Sequence, residues 1–590
     1  MLPSSASHRV NLDGGTNNVH PGSFSLVGSR TRPQFNGIDI IREADEFAMI
    51  HGLNKDQVLI KKGALVYHDP DNGAGVEGLT PDELAALSDK SREKVNIFKC
   101  IPSILQLATS GTALPLNVFS MAQFVSQLRF KFHELSKTGY SAPWLGSALF
   151  GCIISVPLNG RVGRRGSIFT ATLLALLSTL VRVVLRSWEL SYTIFAAHLI
   201  AGTAMGILRC TCPLYLAETS FTSTRGSRIA IWQVSITTVA VYILAEKQAM
   251  ILLGVRDVGL VFTSISGVTL LCLITANKLP ESPYWCILNG KMQDALDSLC
   301  HFRKAGIVAA RDLHQIHSSL SELSSTQNFR EDFSFLQALK HPQFKRAALA
   351  SIPMILTLNM SAVQVAHADF WYETLPMLDR INFEPIIAIF PVIFVWLLAV
   401  KVDKIGRRRS AMALILLMLL SMQIPVVELT GDPASMVSFV SQILLIALYQ
   451  TVELVFSVYT AEVFPWEYNG MVSNLPCGSN DTNSSGADLG MAITTSLGHG
   501  SIIAVTLGLS TPSLHGFFSS TTYRSMWLLL SLLSVTLLMK ETKNVPIEDI
   551  SHVFDLSTKN LILWRAKTRF RGKDIDLEPL ESQPGAIRLE

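Results

Sequence analysis

The sequence predicts an all-α membrane protein built as two six-helix bundles, and three observations predict it. Charged residues make up only 16% of the chain and hydrophobic ones 49%, whereas soluble proteins carry roughly 25% charged residues. Twelve apolar stretches approach the roughly 20 residues that cross a bilayer as a helix. Between two of them lies Asp403-Lys404-Ile405-Gly406-Arg407-Arg408, and an imperfect copy, Asn159-Gly160-Arg161-Val162-Gly163-Arg164-Arg165, lies between two others in the first half. One basic turn is common on soluble surfaces. Two, in corresponding halves and each wedged between apolar segments, indicate a repeated bundle with a basic hairpin.

Residues 1–37 are rich in Ser, Asn, Gly and Pro and read as disordered. Ile40, Ile41, Ala44, Phe47, Ala48 and Ile50 recur at helical spacing from Asp39 to Leu53. Thr80-Pro81-Asp82-Glu83 gives a second helix its N-cap, first-turn Pro and acids at the positive end of the dipole. No apolar segment opens the chain, so the first span is expected to act as the targeting signal.

The spans follow in order: Cys100–Leu128, Tyr140–Leu158, Ser167–Val181, Leu190–Ala217 (interrupted by Arg209), Ile229–Ala245 and Gly259–Ala276. A charged segment, 277–346, separates them from Ala347–Ala366, Pro385–Val400, Ala411–Val427, Met436–Val463, Leu489–Leu509 and Met526–Met539. The eleventh is the least well marked, because Cys477–Asp488 before it is full of Gly, Asn, Ser and Asp. The organisation expected is an extension over 1–94, bundles over 95–276 and 347–540, a central helical loop over 277–346 and a tail over 541–590.

Basic residues set the sidedness. Arg161, Arg164 and Arg165 follow span 2, Arg225 and Arg228 span 4, the central block span 6, and Arg407–Arg409 span 8. All are even-numbered loops, hence cytoplasmic together with both termini, although Arg129, Lys131 and Lys137 after span 1 run against the rule. A net charge of +3 is too small to suggest a nucleic-acid partner. The eight Cys show no zinc-like or CxxC spacing. Neither a nucleophile–base constellation nor a phosphate loop stands out, so no cofactor, metal or enzymatic activity is expected.

Six motifs in chain order resemble the sugar porter branch of the major facilitator superfamily, in particular fungal sugar transporters with a long N-terminal extension. Besides the two paired-Arg turns, these are Tyr215-Leu216-Ala217-Glu218 with Arg225-Gly226, Leu279-Pro280-Glu281-Ser282-Pro283-Tyr284-Trp285, Ala461-Glu462-Val463-Phe464-Pro465 and Glu541-Thr542-Lys543. His51-Gly52-Leu53 and Lys62-Gly63-Ala64-Leu65 are similar to the extension. The resemblance covers about residues 40–555 and implies a 12-span major facilitator fold that moves a hexose, polyol or disaccharide by alternating access.

The resemblance also implies a cytoplasmic gate. Arg164, Arg165, Glu218 and Arg225 would form one cluster and Asp403, Arg407, Arg408 and Glu462 its partner, with Glu281 nearby. Exposed pairs contribute roughly 0–1 kcal/mol each, so several would be needed to bias a gate. The alternative is that these Arg residues only set topology. Departures thin the network: Val156 replaces an acid ahead of the first turn, Tyr284 replaces an Arg, and Trp466 to Gly470 stand where another Arg is expected.

Gln233 falls at the family's binding amide in span 5, and Asn359 and Gln364 stand for those of span 7. Five residues apart, the last two differ in direction by roughly 140° on a helix, and amides bonding neighbouring helices are the alternative reading. No acid occurs from Cys100 to Leu128, while His198 stands where a span 4 Arg is expected and Glu453 stands one place from the family's span 10 acid. His198 and Glu453 are the candidates for proton linkage, yet without a span 1 carboxylate facilitated diffusion is expected. Partners expected are a sugar and the lipid bilayer, with the chain a monomer in the plasma membrane. A sugar sensor of the same fold and a diverged paralogue that no longer transports are the alternatives.

Overall fold

The computed structural model describes residues 37–69, 76, 78–88, 141–184, 191–253, 259–303, 305–326, 341–358, 377–427, 436–464, 486–510, 521–555 and 557–562. The expected first span, Asn359, Gln364, the segment 1–36 and the chain beyond 562 lie outside these residues. Among the described residues are seventeen α-helices and no strand.

Three helices precede the bundles: α1 (Gly37–Ile50), α2 (Gln57–His68) and α3 (Pro81–Ser88). Five belong to the first half or follow it: α4 (Ser141–Val184), α5 (Ser191–Thr219), α6 (Arg225–Leu252), α7 (Gly259–Ala276) and the short α8 (Pro283–Leu288). Then come α9 (Met292–Arg303) and α10 (Gly306–Thr326). The second half contains α11 (Pro342–Leu358), α12 (Met377–Ile405), α13 (Arg407–Val427), α14 (Met436–Val463), α15 (Gly486–Ser510) and α16 (Thr521–Leu538), followed by α17 (Ile550–Val553).

Spans 6 and 10 coincide with α7 and α14. The helix α12 begins at Met377, eight residues before the expected span 8, because Asp379 and Glu384 lie in its first turns instead of in a loop. Spans 2 and 3 form the single segment α4, broken at Gly163, whose φ of +82° is left-handed. Gly406, between α12 and α13, repeats this with φ +96°. An L side chain rarely adopts such angles, and at Gly406 a Cβ would also lie 2.7 Å from the Glu541 carboxylate.

The two halves meet along α4 against α15 and α6 against α12, sharing one large apolar core. Ala196–Thr219 and Ile443–Val463 are long and apolar enough to cross a membrane, and both are mostly buried within the protein. Other helices turn large apolar side chains outward: Phe150 and Ile153 on α4, Leu270 and Ile274 on α7, Trp396 and Leu397 on α12, Leu529 and Leu533 on α16. Outward apolar faces spread over several helices suit a hydrocarbon surround rather than water.

The extension packs on the central helices. Ile40, Ala44 and Phe47 of α1 and Ile60 of α2 share a core with Leu296 and Leu299 of α9 and Leu313 and Ile316 of α10. Ile41 and Ile50, expected on the same face as Ile40, are exposed. The cap expected at Thr80 forms a reciprocal box: Glu83 N–H donates to Thr80 Oγ1 (3.3 Å) and Thr80 N–H to Glu83 Oε2 (2.8 Å). Trp285 Nε1 donates to Gly160 O (2.9 Å) and Arg303 Nη1 to Thr219 O (2.9 Å), which ties this helical cap to the break in α4 and the end of α5.

Candidate functional site

Two constellations occupy the contact between the halves: an ionic one at the end carrying the paired-Arg turns, and a polar one deeper inside.

At the ionic end, the break at each left-handed Gly starts a helix whose first N–H groups need acceptors. Glu281 Oε1 accepts from Arg164 N (2.8 Å), Arg165 N (3.1 Å) and Ser282 N (2.9 Å). Glu541 does the same in the second half, accepting from Arg407 N (2.9 Å) and Arg408 N (3.1 Å). Burial pushes the Glu281 carboxyl above its ordinary range, against the pull of these N–H groups.

The first Arg of each turn points inward and is fully buried. Arg164 contacts Glu218 through Nε (3.1 Å) and Nη2 (2.9 Å), and Glu218 also accepts from Ser282 Oγ. Arg407 contacts Glu462 through Nε (2.9 Å) and Nη2 (2.6 Å), and Glu462 also accepts from Thr542 Oγ1 (2.6 Å). An Arg, a Glu and a hydroxyl thus recur in both halves.

Several contacts cross between the halves at this end. Arg164 Nη2 reaches Asp488 Oδ2 of α15 (3.0 Å), whose other oxygen accepts from Asn159 Nδ2 (2.9 Å). Arg225 Nε donates to Glu462 Oε1 (2.9 Å). Asp403 accepts from Gly226 N (2.9 Å) and Ser227 N (2.7 Å), capping the start of α6.

The clusters implied by the resemblance are therefore regrouped. Arg225 pairs with the second cluster and bridges the halves. Glu281 belongs to the first turn, and Glu541 is its counterpart. The second Arg of each pair, Arg165 and Arg408, donates to main-chain oxygens, Asn277 O (2.6 Å) and Thr536 O (2.9 Å). Asp488, read in the sequence only as the end of a polar stretch, supplies a bridging carboxylate. The pairs are also buried, with Arg164, Glu218 and Asp488 side chains at 0% exposure. Energies suited to exposed pairs do not apply here. Removing one member strands a buried charge, which costs about 3–5 kcal/mol.

Deeper inside, Arg209 Nη2 of α5 donates to Glu453 Oε1 of α14, forming a buried ion pair across the halves. Gln233 of α6 donates through Nε2 to Glu453 Oε2 (3.1 Å) and to Gln450 Oε1 (2.8 Å). Arg209 and Glu453 each lie nine residues before the buried glutamate near the end of their helices, Glu218 and Glu462. Nine residues rise about 13 Å, which sets the pair near the middle of a roughly 30 Å hydrocarbon layer. His198 is buried on α5, about 16 Å further along the axis from Arg209, so the structure does not bring it to this pair. The sequence signal for Arg209 was present: a charge interrupting an otherwise apolar span, at the same distance from Glu218 as Glu453 from Glu462. Around the pair, Gln233 Oε1 and His499 Nε2 are buried with no hydrogen-bond partner among the described residues.

The sequence pattern of a family described as "Sugar (and other) transporter" matches residues 104–554. An arabinose-proton symporter of Escherichia coli (strain K12) is 26% identical over 244 residues, 41% of this chain and 50% of that protein. Facilitated glucose transporter member 3 (solute carrier family 2) of Oryctolagus cuniculus is 24% identical over 267 residues, 43% of this chain and 51% of that protein. The chain spans about half the length of the curated relatives it matches. Among solved structures, a proton:xylose symporter of the major facilitator superfamily, bound to 6-bromo-6-deoxy-D-glucose, superposes with a TM-score of 0.62 at 19% identity, covering 78% of this chain and 99% of that one. A partially occluded inward open form of the Escherichia coli xylose transporter gives 0.56 at 18% identity, covering 76% and 98%. These likenesses establish the 12-span major facilitator fold.

Proposed function

The chain belongs to the sugar (and other) transporter family of integral membrane proteins, and on that premise we propose that it is a carrier for a hexose, polyol or disaccharide working by alternating access. The observation that supports the reading is the set of crossing contacts at one end, Arg164–Asp488, Arg225–Glu462 and Asp403 on the start of α6. Rocking one bundle against the other needs a contact that holds one end shut in one state and parts in the next. Buried charge pairs suit this role, because they hold together while dry and part once water reaches and solvates them.

In this reading 95–276 and 347–540 are the two moving bundles, and Arg164, Arg165, Glu218, Arg225, Glu281, Asp403, Arg407, Arg408 and Glu462 form the gate. The gate and both termini face the cytoplasm, and the chain is a monomer in the plasma membrane. Gln233 binds the substrate, with Asn359 and Gln364 contributing from span 7, since amides both donate to and accept from hydroxyls. For a neutral sugar the mode is facilitated diffusion: Arg209 and Glu453 neutralise each other, so no proton need move.

Uptake of labelled glucose, xylose, glycerol and lactose in a transporter-deficient yeast tests this. Saturable uptake that Gln233→Ala abolishes is the expected result. Ligand binding without flux would replace the carrier by a sensor, and neither binding nor flux would leave a paralogue without transport.

A further inference from the structure

Resting on the carrier reading above, we infer that the preferred substrate is a sugar acid, a polyol bearing a carboxylate, which takes the place of Glu453 on Arg209. The guanidinium of Arg209 is charged at every physiological pH. It is buried near mid-membrane, where a cation requires an anionic partner. That partner sits on the opposite half, so a substrate that enters between the halves separates the two charges. Hydroxyls of a neutral sugar cannot replace a carboxylate there. The carboxylate of a uronic or aldonic acid can, offering the same two oxygens to the planar fork.

Arg209 keeps one anion beside it in either state. In the empty site that anion is Glu453, and in the loaded site it is the substrate carboxylate. Among the described residues, the titratable groups near Arg209 include Tyr449 on the same helix as Glu453, Cys152 on α4, Cys210 beside it on α5 and His499 on α15.

The polyol part has its own partners. Gln233 Oε1 and His499 Nε2 are buried without hydrogen-bond partners among the described residues, on α6 and α15 from opposite halves. Buried polar atoms are normally satisfied. A ring of hydroxyls between the halves supplies both donors and acceptors to this set.

Thermal stabilisation of the purified full chain, scanned against three matched pairs, tests the inference: D-galacturonate with D-galactose, D-glucuronate with D-glucose, and D-gluconate with D-sorbitol. At least one acid is expected to bind on the order of 100-fold more tightly than its neutral partner. Arg209→Gln should erase that preference. Should that variant not fold, Glu453→Gln decides: with the guanidinium already free, it binds the acid at least as tightly as the parent and leaves binding of the neutral partner unchanged. Neutral members binding as well as or better than the acids would overturn the sugar-acid inference and leave the carrier standing. Binding by no member of any pair would overturn both. Glu453→Gln that weakens acid and neutral partner alike would reduce the pair to a structural contact and overturn the inference.

Discussion

Arg225 begins a helix of the first half, and its Nε donates at 2.9 Å to Glu462 Oε1 of the second half, the same oxygen that holds Arg407 Nη2 at 2.6 Å. Glu462 thus binds one cation from its own half and one from the other. Cutting the second tie while keeping the first should loosen the contact between the halves without unfolding either. Arg225→Ala is expected to cost about 3 kcal/mol of the closed arrangement, read as faster hydrogen exchange at the start of α6. Arg407→Ala, which removes the tie within the half, should instead lower expression and thermal stability.

Gly226 lets the start of α6 approach Asp403. A Cβ there would overlap both the Asp403 carboxylate and the Arg407 guanidinium. Gly226→Ala should therefore lose the caps on Gly226 N and Ser227 N, about 1–3 kcal/mol for hydrogen bonds to a charged group. Uptake should fall with it. Gly267→Ala, where a Cβ meets nothing within 4 Å, should leave thermal stability unchanged or slightly higher.

The loops that hold the paired-Arg turns are repeated, so their removal should have repeated effects. Glu281→Ala leaves the N–H groups of Arg164 and Arg165 without their acceptor, and Glu541→Ala does so for Arg407 and Arg408. Each should lower stability by about 1–3 kcal/mol, and the two losses should add, since the sites lie in separate halves. Thermal scans of both single variants and the double variant measure this.

Much of this arrangement is readable in the sequence. Gly163 and Gly406 mark their turns because each Gly precedes paired Arg between apolar runs, and apolar length located spans 6 and 10 to the residue while missing the first eight residues of α12. What could not be read is which carboxylate meets which Arg. Arg225 lies seven residues from Glu218 in sequence yet pairs with Glu462, because α6 packs against the other half. Asp488 looked like part of a polar stretch, since nothing local reveals that α15 delivers it to Arg164. Arg209 looked like an interruption, because a mid-span charge has meaning only once its partner on a distant helix is known.

Docking of the extension on the central helices should depend on pH. Phe47, His51 and His317 pack together, and His314 packs against Tyr67 and His68. Burial holds His314 down at about 4 and lowers His317 and His51 from the ordinary 6.5. Undocked, these imidazoles regain the ordinary value and bind more protons than the docked ones between pH 4 and 6.5. Docking is therefore complete above about pH 6.5 and is lost as pH falls through that window. Hydrogen exchange of 37–68 should be slow at pH 7.5 and several-fold faster at pH 5 after correction for intrinsic rates. His314→Phe should flatten the difference.

The distance between Val162 and Ile405 tests the rocking of two halves most directly. Each side chain is exposed, and each immediately precedes the left-handed Gly of its own half. Spin labels at both positions, read by double electron–electron resonance in reconstituted membranes, should give one short population in the parent protein. Arg225→Ala together with a transported substrate should add a population longer by several ångströms. A single unchanged distance under every condition, with flux intact, would contradict the account.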